Sequence, residues 1–160
     1  MFQAISLAVI IFLTLVDQLT KYVAVSTVMV NGPKQFLFGL FQFRYVENTG
    51  AAFSSFSDNT SLLSAFTVIV VAIGIAFLMM KKLKPMFVNV CVLLILSGGI
   101  GNVIDRIRLG YVVDFIEPLF IDFAVFNFAD CCITIGAFML IGYEIYDLIK
   151  DYKQRKIRND

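Results

Sequence analysis

Four aspartates lie inside or at the edges of strongly apolar stretches of this chain, namely Asp17, Asp105, Asp114 and Asp130. A carboxylate at membrane depth costs about 2.5–3.5 kcal/mol on insertion scales, so it usually faces a partner or a water-filled cavity. The chain has no histidine that could share such chemistry. The pattern therefore indicates carboxylate chemistry at a membrane.

Two of the four aspartates have a cation within one helical turn. Asp17 and Lys21 are four residues apart with the acid first, the favourable order for an ion pair on a helix. Such a pair makes insertion tolerable and is compatible with a supporting role beside a site. Asp105 precedes Arg106 and Arg108, so it either pairs with one of them or lies in the headgroup region.

The other two aspartates, Asp114 and Asp130, have no obvious basic partner. Two carboxylates brought close together split their ionisation and hold one proton between them. One group then acts as a general base on water and the other as an acid. Asn127, three residues before Asp130, also fits a helix-capping box at the start of a span. Capping alone leaves Asp114 unexplained, so Asp114 and Asp130 are the best candidates for a catalytic dyad.

Asn102 and Arg106 are the other polar pair at helical spacing, four residues apart. Together they could bind a carbonyl, a carboxylate or a headgroup phosphate. The alternative for Arg106 and Arg108 is that their side chains only extend to the lipid headgroups.

Composition excludes several function classes. Without histidine, no Ser-His-Asp or Cys-His catalysis and no HExxH metalloprotease is available. Cys91, Cys131 and Cys132 form no CxxC pair, so we expect free thiols, no metal and no cofactor. A net charge of +1 gives no footprint for nucleic acid.

Long apolar runs must position these residues, since 59% of the 160 residues are hydrophobic and 16% are charged. Spans of about 20 residues cross the hydrocarbon core. Four are predicted in a single domain, 1–160, at about 4–28, 62–80, 86–104 and 129–149. The first span is too long for a signal peptide and lacks a basic start. The predicted fold class is an all-α membrane protein.

The two outward loops, about 29–61 and 105–128, are not simple linkers. The stretch 41–45 alternates apolar and polar residues, which is typical of a strand, and Asn48-Thr49-Gly50 supplies a turn. We therefore expect the first of these loops to form a small extracytoplasmic sheet or hairpin lying on the membrane surface. The second loop is expected to follow the interface.

Basic residues predict the orientation of the spans. The link between spans two and three and the tail carry eight basic residues: Lys81, Lys82, Lys84, Lys150, Lys153, Arg155, Lys156 and Arg158. The opposite side carries four: Lys34, Arg44, Arg106 and Arg108. This bias puts both termini in the cytoplasm. The unusual polar residues then all fall in the outer leaflet.

Four sequence blocks carry a family resemblance: Asp17-Gln18-Leu19-Thr20-Lys21; Asn48-Thr49-Gly50-Ala51-Ala52-Phe53; Gly101-Asn102-Val103-Ile104-Asp105-Arg106 with Gly110, Val112 and Asp114-Phe115; and Phe126-Asn127-Phe128-Ala129-Asp130. In this order, over about residues 10–145, they resemble the motifs of bacterial lipoprotein signal peptidases (signal peptidase II, aspartyl peptidase family A8). One departure is Cys131, where the family commonly has serine.

The resemblance implies a multi-pass peptidase of the bacterial inner membrane with Asp114 and Asp130 as its catalytic pair. It also implies a supporting set of substrate-cleft residues: Asp17, Lys21, Asn48, Gly50, Asn102, Arg106 and Asn127. The implied substrates are prolipoproteins, cleaved immediately before a diacylglyceryl-modified cysteine. Membrane lipids would be the other partners, and the enzyme would act as a monomer without nucleic acid, metal or cofactor.

A different class of function also fits buried carboxylates. A proton- or cation-coupled transporter or channel would use them as relays, but it would often show internal repeats. No such repeat is visible in the sequence. A purely structural membrane protein would have no need for the unpaired acid Asp114.

Overall fold

Long apolar helices and one small sheet make up the residues that the structure, a computed structural model, describes: 2–50, 60–80 and 85–159. The helices are α1 (Phe2–Val23), α2 (Met29–Asn31), α3 (Thr60–Met79), α4 (Met86–Leu109) and α5 (Phe128–Asn159). A π-helical segment, Ala24–Val28, joins α1 to α2. The strands are β1 (Lys34–Phe36), β2 (Phe41–Asn48) and β3 (Val112–Pro118).

Three helical stretches are long and apolar enough to cross a membrane: Phe2–Asn31, Met86–Leu109 and Phe128–Arg158. The stretch Leu63–Met79 of α3 is a shorter apolar helix. These helices and the small sheet confirm the predicted fold class of a mostly helical membrane protein. The predicted basic link at 81–84 lies outside the described residues.

Helix α4 extends beyond residue 104, where the third span was predicted to end. Helix α4 continues to Leu109, where Gly110 adopts φ 86° and its N–H bonds to the Arg106 carbonyl oxygen at 3.1 Å. A left-handed glycine is a common way for a helix to end. Asp105 and Arg106 therefore belong to a helix and not to the outward loop. Helix α5 likewise extends ten residues beyond the predicted end at 149.

The sheet draws on both outward segments, whereas the sequence predicted it from the first one alone. Its strand order is β1-β2-β3, and both pairings are antiparallel. Asn48 lies opposite Val112 and Val46 lies opposite Asp114, with a register shift between Phe43 and Val46. The second loop therefore contributes a strand, which sets Asp114 beside the end of β2.

Helix α4 is the central element, because it packs against α1, α3 and α5. Its glycines permit this close approach. A Cβ on Gly98 would collide with the Ala129 carbonyl oxygen and lie 2.8 Å from Cγ1 of Ile133. A Cβ on Gly101 would collide with Oδ2 of Asp17. The start of α5 and the middle of α1 are thereby held against one stretch of α4.

Gly98→Ala should destabilise the protein, because the added methyl group meets backbone of α5 that cannot yield easily. Overpacking of this kind costs about 1–3 kcal/mol. The matched control is Gly142→Ala on α5, where no atom lies within 4 Å of the added Cβ. It should be neutral or slightly stabilising, since alanine favours a helix over glycine. Thermal unfolding of the purified variants in detergent tests this, and equal melting temperatures would contradict the packing argument.

Candidate active site

Asp114 lies in β3 and is buried, with 1% of its surface exposed. Both of its carboxylate oxygens accept hydrogen bonds from amide side chains. Asn48 Nδ2 donates to Oδ2 at 2.8 Å, and Asn127 Nδ2 donates to Oδ1 at 2.6 Å. Asn48 reaches this position because it ends β2 next to β3. The carboxylate is thus fixed from two elements.

Asp130 lies in the first turn of α5, where it forms the capping box that the sequence predicts. Its backbone N–H donates to Asn127 Oδ1 at 3.0 Å, and the Asn127 N–H donates back to Asp130 Oδ2 at 3.1 Å. Asn102 Nδ2 donates to the other oxygen, Oδ1, at 2.8 Å. Capping therefore accounts for the contact of only one carboxylate oxygen of Asp130, because the other oxygen faces α4.

Asn127 connects the two aspartates. Its side-chain amide donates to Asp114, and its backbone N–H donates to Asp130. Both carboxylates line one cavity of about 580 Å³, together with Asn48, Asn102 and Arg106. The structure thus brings the two predicted dyad residues to a single cavity through one shared neighbour.

The two carboxylates have different electrostatic surroundings. Burial, together with the nearby charge of Asp130, raises the pKa of Asp114 to about 7, although hydrogen bonds from Asn48 and Asn127 partly oppose the shift. Asp130 sits at the amino-terminal end of a helix, where the helix dipole stabilises a negative charge. The surroundings of Asp114 therefore favour its protonated form more than those of an ordinary aspartate do.

Behind Asp114 and Asp130, Lys21 connects three polar groups that are buried between α1 and α4. Its Nζ lies 3.0 Å from Asp17 Oδ2 and 2.9 Å from Asp105 Oδ2, and it donates to Asn102 Oδ1 at 2.9 Å. The Asp17–Lys21 pair agrees with the sequence prediction. For Asp105 the sequence predicted an arginine partner or a headgroup position, and both were wrong, because the Lys21 side chain crosses from the neighbouring helix.

Asp17 also contacts the first turn of α5 directly. Its Oδ1 accepts a hydrogen bond from the Ala129 N–H at 3.0 Å, next to Asp130. Gln18 adds a further connection, since its Nε2 donates to Asp105 Oδ1 at 3.0 Å and to the Gly101 carbonyl oxygen at 3.2 Å. Gln18 and Asp105 were absent from the predicted site residues. The only sequence signal for Gln18 was its place in the first motif block, whereas Asp105 also stood out as one of the four aspartates in apolar stretches.

Arg106 reaches the same cavity from the end of α4. One terminal nitrogen donates to the Gly50 carbonyl oxygen at 3.0 Å, and the Gly50 N–H donates to Asn48 Oδ1 at 2.9 Å. Within the described part of the chain, the buried Arg106 Nε has no hydrogen-bond partner. Arg106 therefore keeps donor capacity for a ligand. Gly50 is described, whereas the neighbouring Ala51 and Ala52 lie outside the described residues.

All nine predicted site residues therefore belong to one continuous set of contacts. The three asparagines, Asn48, Asn102 and Asn127, contact the two predicted dyad carboxylates directly. Asp17 and Lys21 contact residues next to them. Cys131, which stands where the resemblance leads us to expect serine, also lines the cavity.

Comparison with known proteins gives the family. The profile of the family described as Signal peptidase (SPase) II matches residues 9–146. A protein of Streptococcus pyogenes serotype M6, named Lipoprotein signal peptidase, is 40% identical over 132 residues, 82% of this chain and 87% of that one. A protein of the same name from the serotype M3 strain ATCC BAA-595 is 39% identical over the same shares.

Solved structures agree with the sequence comparison. A bacterial membrane enzyme determined by the in meso method at 2.3 Å matches with TM-score 0.83 and 29% identity, over 91% of this chain and 90% of that one. A second, at 1.9 Å, matches with TM-score 0.79 over 90% and 94%. These matches identify the chain as an enzyme and not as the transporter or channel that the sequence left open. The chain belongs to the signal peptidase II family and is a membrane-integral aspartic peptidase.

Proposed function

We propose that this enzyme removes signal peptides from prolipoproteins, cleaving immediately before a diacylglyceryl-modified cysteine, with Asp114 and Asp130 as its dyad. The observation that carries the proposal is the single cavity that both carboxylates line, with Asn127 bonded to each. The name of the Streptococcus pyogenes relatives supports the substrate class.

Hydrolysis needs one proton shared between the two aspartates. Asp130 takes a proton from a water molecule, and the resulting hydroxide adds to the scissile carbonyl carbon. Asp114 supplies its proton, which reaches the leaving amine nitrogen as the C–N bond breaks. The proton gained by Asp130 returns the pair to its starting state of one shared proton. No cofactor enters this scheme.

The asparagines and Arg106 have different tasks in this scheme. Asn102 and Asn127 already donate to the dyad, so they orient the carboxylates and are less available to the substrate. Arg106, with its buried Nε unpaired within the described residues, is the better donor for a substrate carbonyl or headgroup oxygen.

Substrate entry is proposed to be lateral, from the bilayer. The cavity wall opposite the sheet comes from membrane helices, with Leu63 and Thr67 of α3, Gly99 of α4, and Ile133 and Ile135 of α5. An apolar wall of this kind suits acyl chains. The distribution of basic residues supports cytoplasmic termini and an extracytoplasmic site.

The test of the proposed function compares two substrates that differ only in lipidation. Purified enzyme in detergent or lipid is given a prolipoprotein with or without its diacylglyceryl group, and cleavage is followed by gel shift and by mass of the product. We expect cleavage of the lipidated form only, with the lipidated cysteine as the new amino terminus. Equal cleavage of both forms would overturn the substrate assignment.

Activity should fall on the alkaline side of a midpoint near 7. Because the raised pKa of Asp114 reports its shared proton, increasing pH through that value ionises both carboxylates and removes the acid. Asn48→Ala should move this alkaline limb to higher pH, since the Asn48 amide stabilises the ionised form of Asp114. The measurement is kcat/KM against pH for both proteins. A downward shift in the variant would contradict the assignment of the proton to Asp114.

A further inference from the structure

A second cavity lies on the other side of the strand that carries Asp114. This cavity, here called the outer groove, has a volume of about 810 Å³ and is formed by α1 with its π-helical segment, the turn at 31–34, and Phe43 and Phe115 of the sheet. Adjacent strand residues point to opposite faces of a sheet. Asp114 lines the first cavity, whereas Phe115 lines the outer groove, and no residue in the described part of the chain lines both.

The π-helical segment Ala24–Val28 shapes one wall of the outer groove. Ala24, Thr27 and Val28 line the groove, and the segment packs against β2. Stretches of π-helix are rare and occur frequently at functional sites. The floor is closed by Ala24 and Phe115, which are 3% and 6% exposed. The groove thus has a defined helical wall and an apolar base.

Among the described residues that line the outer groove, Lys34 carries the only charge. It is exposed, and no ion pair within residues 2–50, 60–80 and 85–159 involves it. Its cross-strand partner is Phe43, so the ammonium group emerges beside the aromatic wall. An apolar groove with one cation at its edge matches a phospholipid, in which an acyl chain is joined through glycerol to a phosphate. The volume also lies within the range of about 300–1,000 Å³ for ligand sites.

We propose that the outer groove binds one phospholipid with an anionic headgroup. An acyl chain lies against Val23, Phe43 and Phe115, and the headgroup phosphate contacts Lys34. The acyl chains of the proposed substrate are a less suitable occupant, because they are attached next to the scissile bond and the dyad faces the other side of β3. The bound lipid would then support β3 from the face opposite Asp114.

The charge of Lys34 has to supply the preference for an anionic over a zwitterionic phospholipid. An acyl chain leaves one apolar environment for another when it moves from the bilayer into the groove, so burial contributes little selectivity. One lysine near an anionic surface favours a negative headgroup by about five-fold. Phosphatidylglycerol should therefore occupy the groove in preference to phosphatidylcholine by a factor of that order.

The chain contains no tryptophan, so one engineered tryptophan reports on its own surroundings. Phe43→Trp places that reporter in the groove, with Thr27→Trp as a second position should the first variant fold poorly. Tyr22→Trp is the matched control, since Tyr22 is an exposed residue of α1 outside the groove lining. Each protein is reconstituted in phosphatidylcholine vesicles in which the fraction of acyl-brominated phosphatidylglycerol, or of acyl-brominated phosphatidylcholine, is increased in the same small steps.

In the groove, brominated phosphatidylglycerol should quench at about five-fold lower concentration than brominated phosphatidylcholine, whereas at Tyr22→Trp the two should quench alike. Adding Lys34→Gln should abolish the difference. Equal quenching in the groove, or a preference that survives Lys34→Gln, would overturn the proposal. Relief of quenching by a lipidated prolipoprotein peptide alone would assign the groove to the substrate. None of these readouts requires cleavage, so they stand apart from the test of the proposed function.

Discussion

Asp114→Asn and Asp130→Asn enzymes should each lose at least about 10³-fold in kcat, within the range assigned to general acid–base catalysis. An asparagine at 114 cannot supply the proton for the leaving amine. An asparagine at 130 cannot accept the proton of the attacking water. The two losses should not add in the double variant, because each one already removes the shared proton on which the pair depends.

The fold of these variants has to be measured together with their activity. Asp114 accepts hydrogen bonds on both oxygens, from Asn48 and Asn127, whereas an asparagine side chain offers only one acceptor. One of these amides would lose its partner, at a cost of about 1–3 kcal/mol. We therefore expect Asp114→Asn to have a lower melting temperature than the parent. The variant should still be folded at temperatures below that value.

Asp122→Asn is the matched control, because Asp122 is an exposed carboxylate of the segment between β3 and α5. It makes the same change from a carboxyl group to an amide. Its rate should stay within two-fold of the parent by gel-shift assay of a lipidated prolipoprotein. Turnover by folded Asp114→Asn at a rate near that of the control would remove Asp114 from the mechanism.

The sequence was most informative where a signal is local. The capping box of Asn127 and Asp130 involves residues three apart, and the hydrogen bonds confirm it. The apolar runs likewise predicted the helices, because span length depends only on composition along the chain. The spacing of Asp17 and Lys21 also predicted their ion pair correctly.

The sequence was least informative where the partner comes from a distant element. Strand β3 escaped prediction because its first four residues, from Val112 to Phe115, are all buried, so the strand lacks the alternation of apolar and polar residues that marks a one-sided strand. Asp105 was assigned to a neighbouring arginine or to the headgroups, since nothing in its own stretch points to Lys21, 84 residues earlier. Contacts between helices depend on packing, which a linear pattern does not contain.

Lys21→Met should be the most destabilising single change in the buried network. Lys21 is 3% exposed and contacts Asp17 and Asp105, which are 1% and 3% exposed. Methionine keeps much of the volume but leaves two buried carboxylates without their cation. Removing one partner of a buried ion pair costs about 3–5 kcal/mol. Thermal unfolding in detergent measures the loss, with the exposed Lys153→Met as the matched control.

The same change should lower activity even in the protein that remains folded. Lys21 donates to Asn102 Oδ1, which leaves Asn102 Nδ2 directed at Asp130. Without the ammonium group, Asn102 loses one of the three hydrogen bonds of its side-chain amide, and the Asp130 carboxylate is held less firmly. We expect kcat to fall while KM changes little, because the contact acts on the dyad and not on the substrate.

A second variant separates charge neutralisation from simple loss of packing. If the unpaired carboxylates cause the instability, Asp105→Asn should recover part of it in the Lys21→Met background, because one buried charge is then removed. Coupling between contacting residues of this kind typically amounts to about 0.5–3 kcal/mol. Strictly additive effects of the two substitutions would show that Lys21 acts through its hydrocarbon stem, and that Asp17 and Asp105 do not depend on its charge.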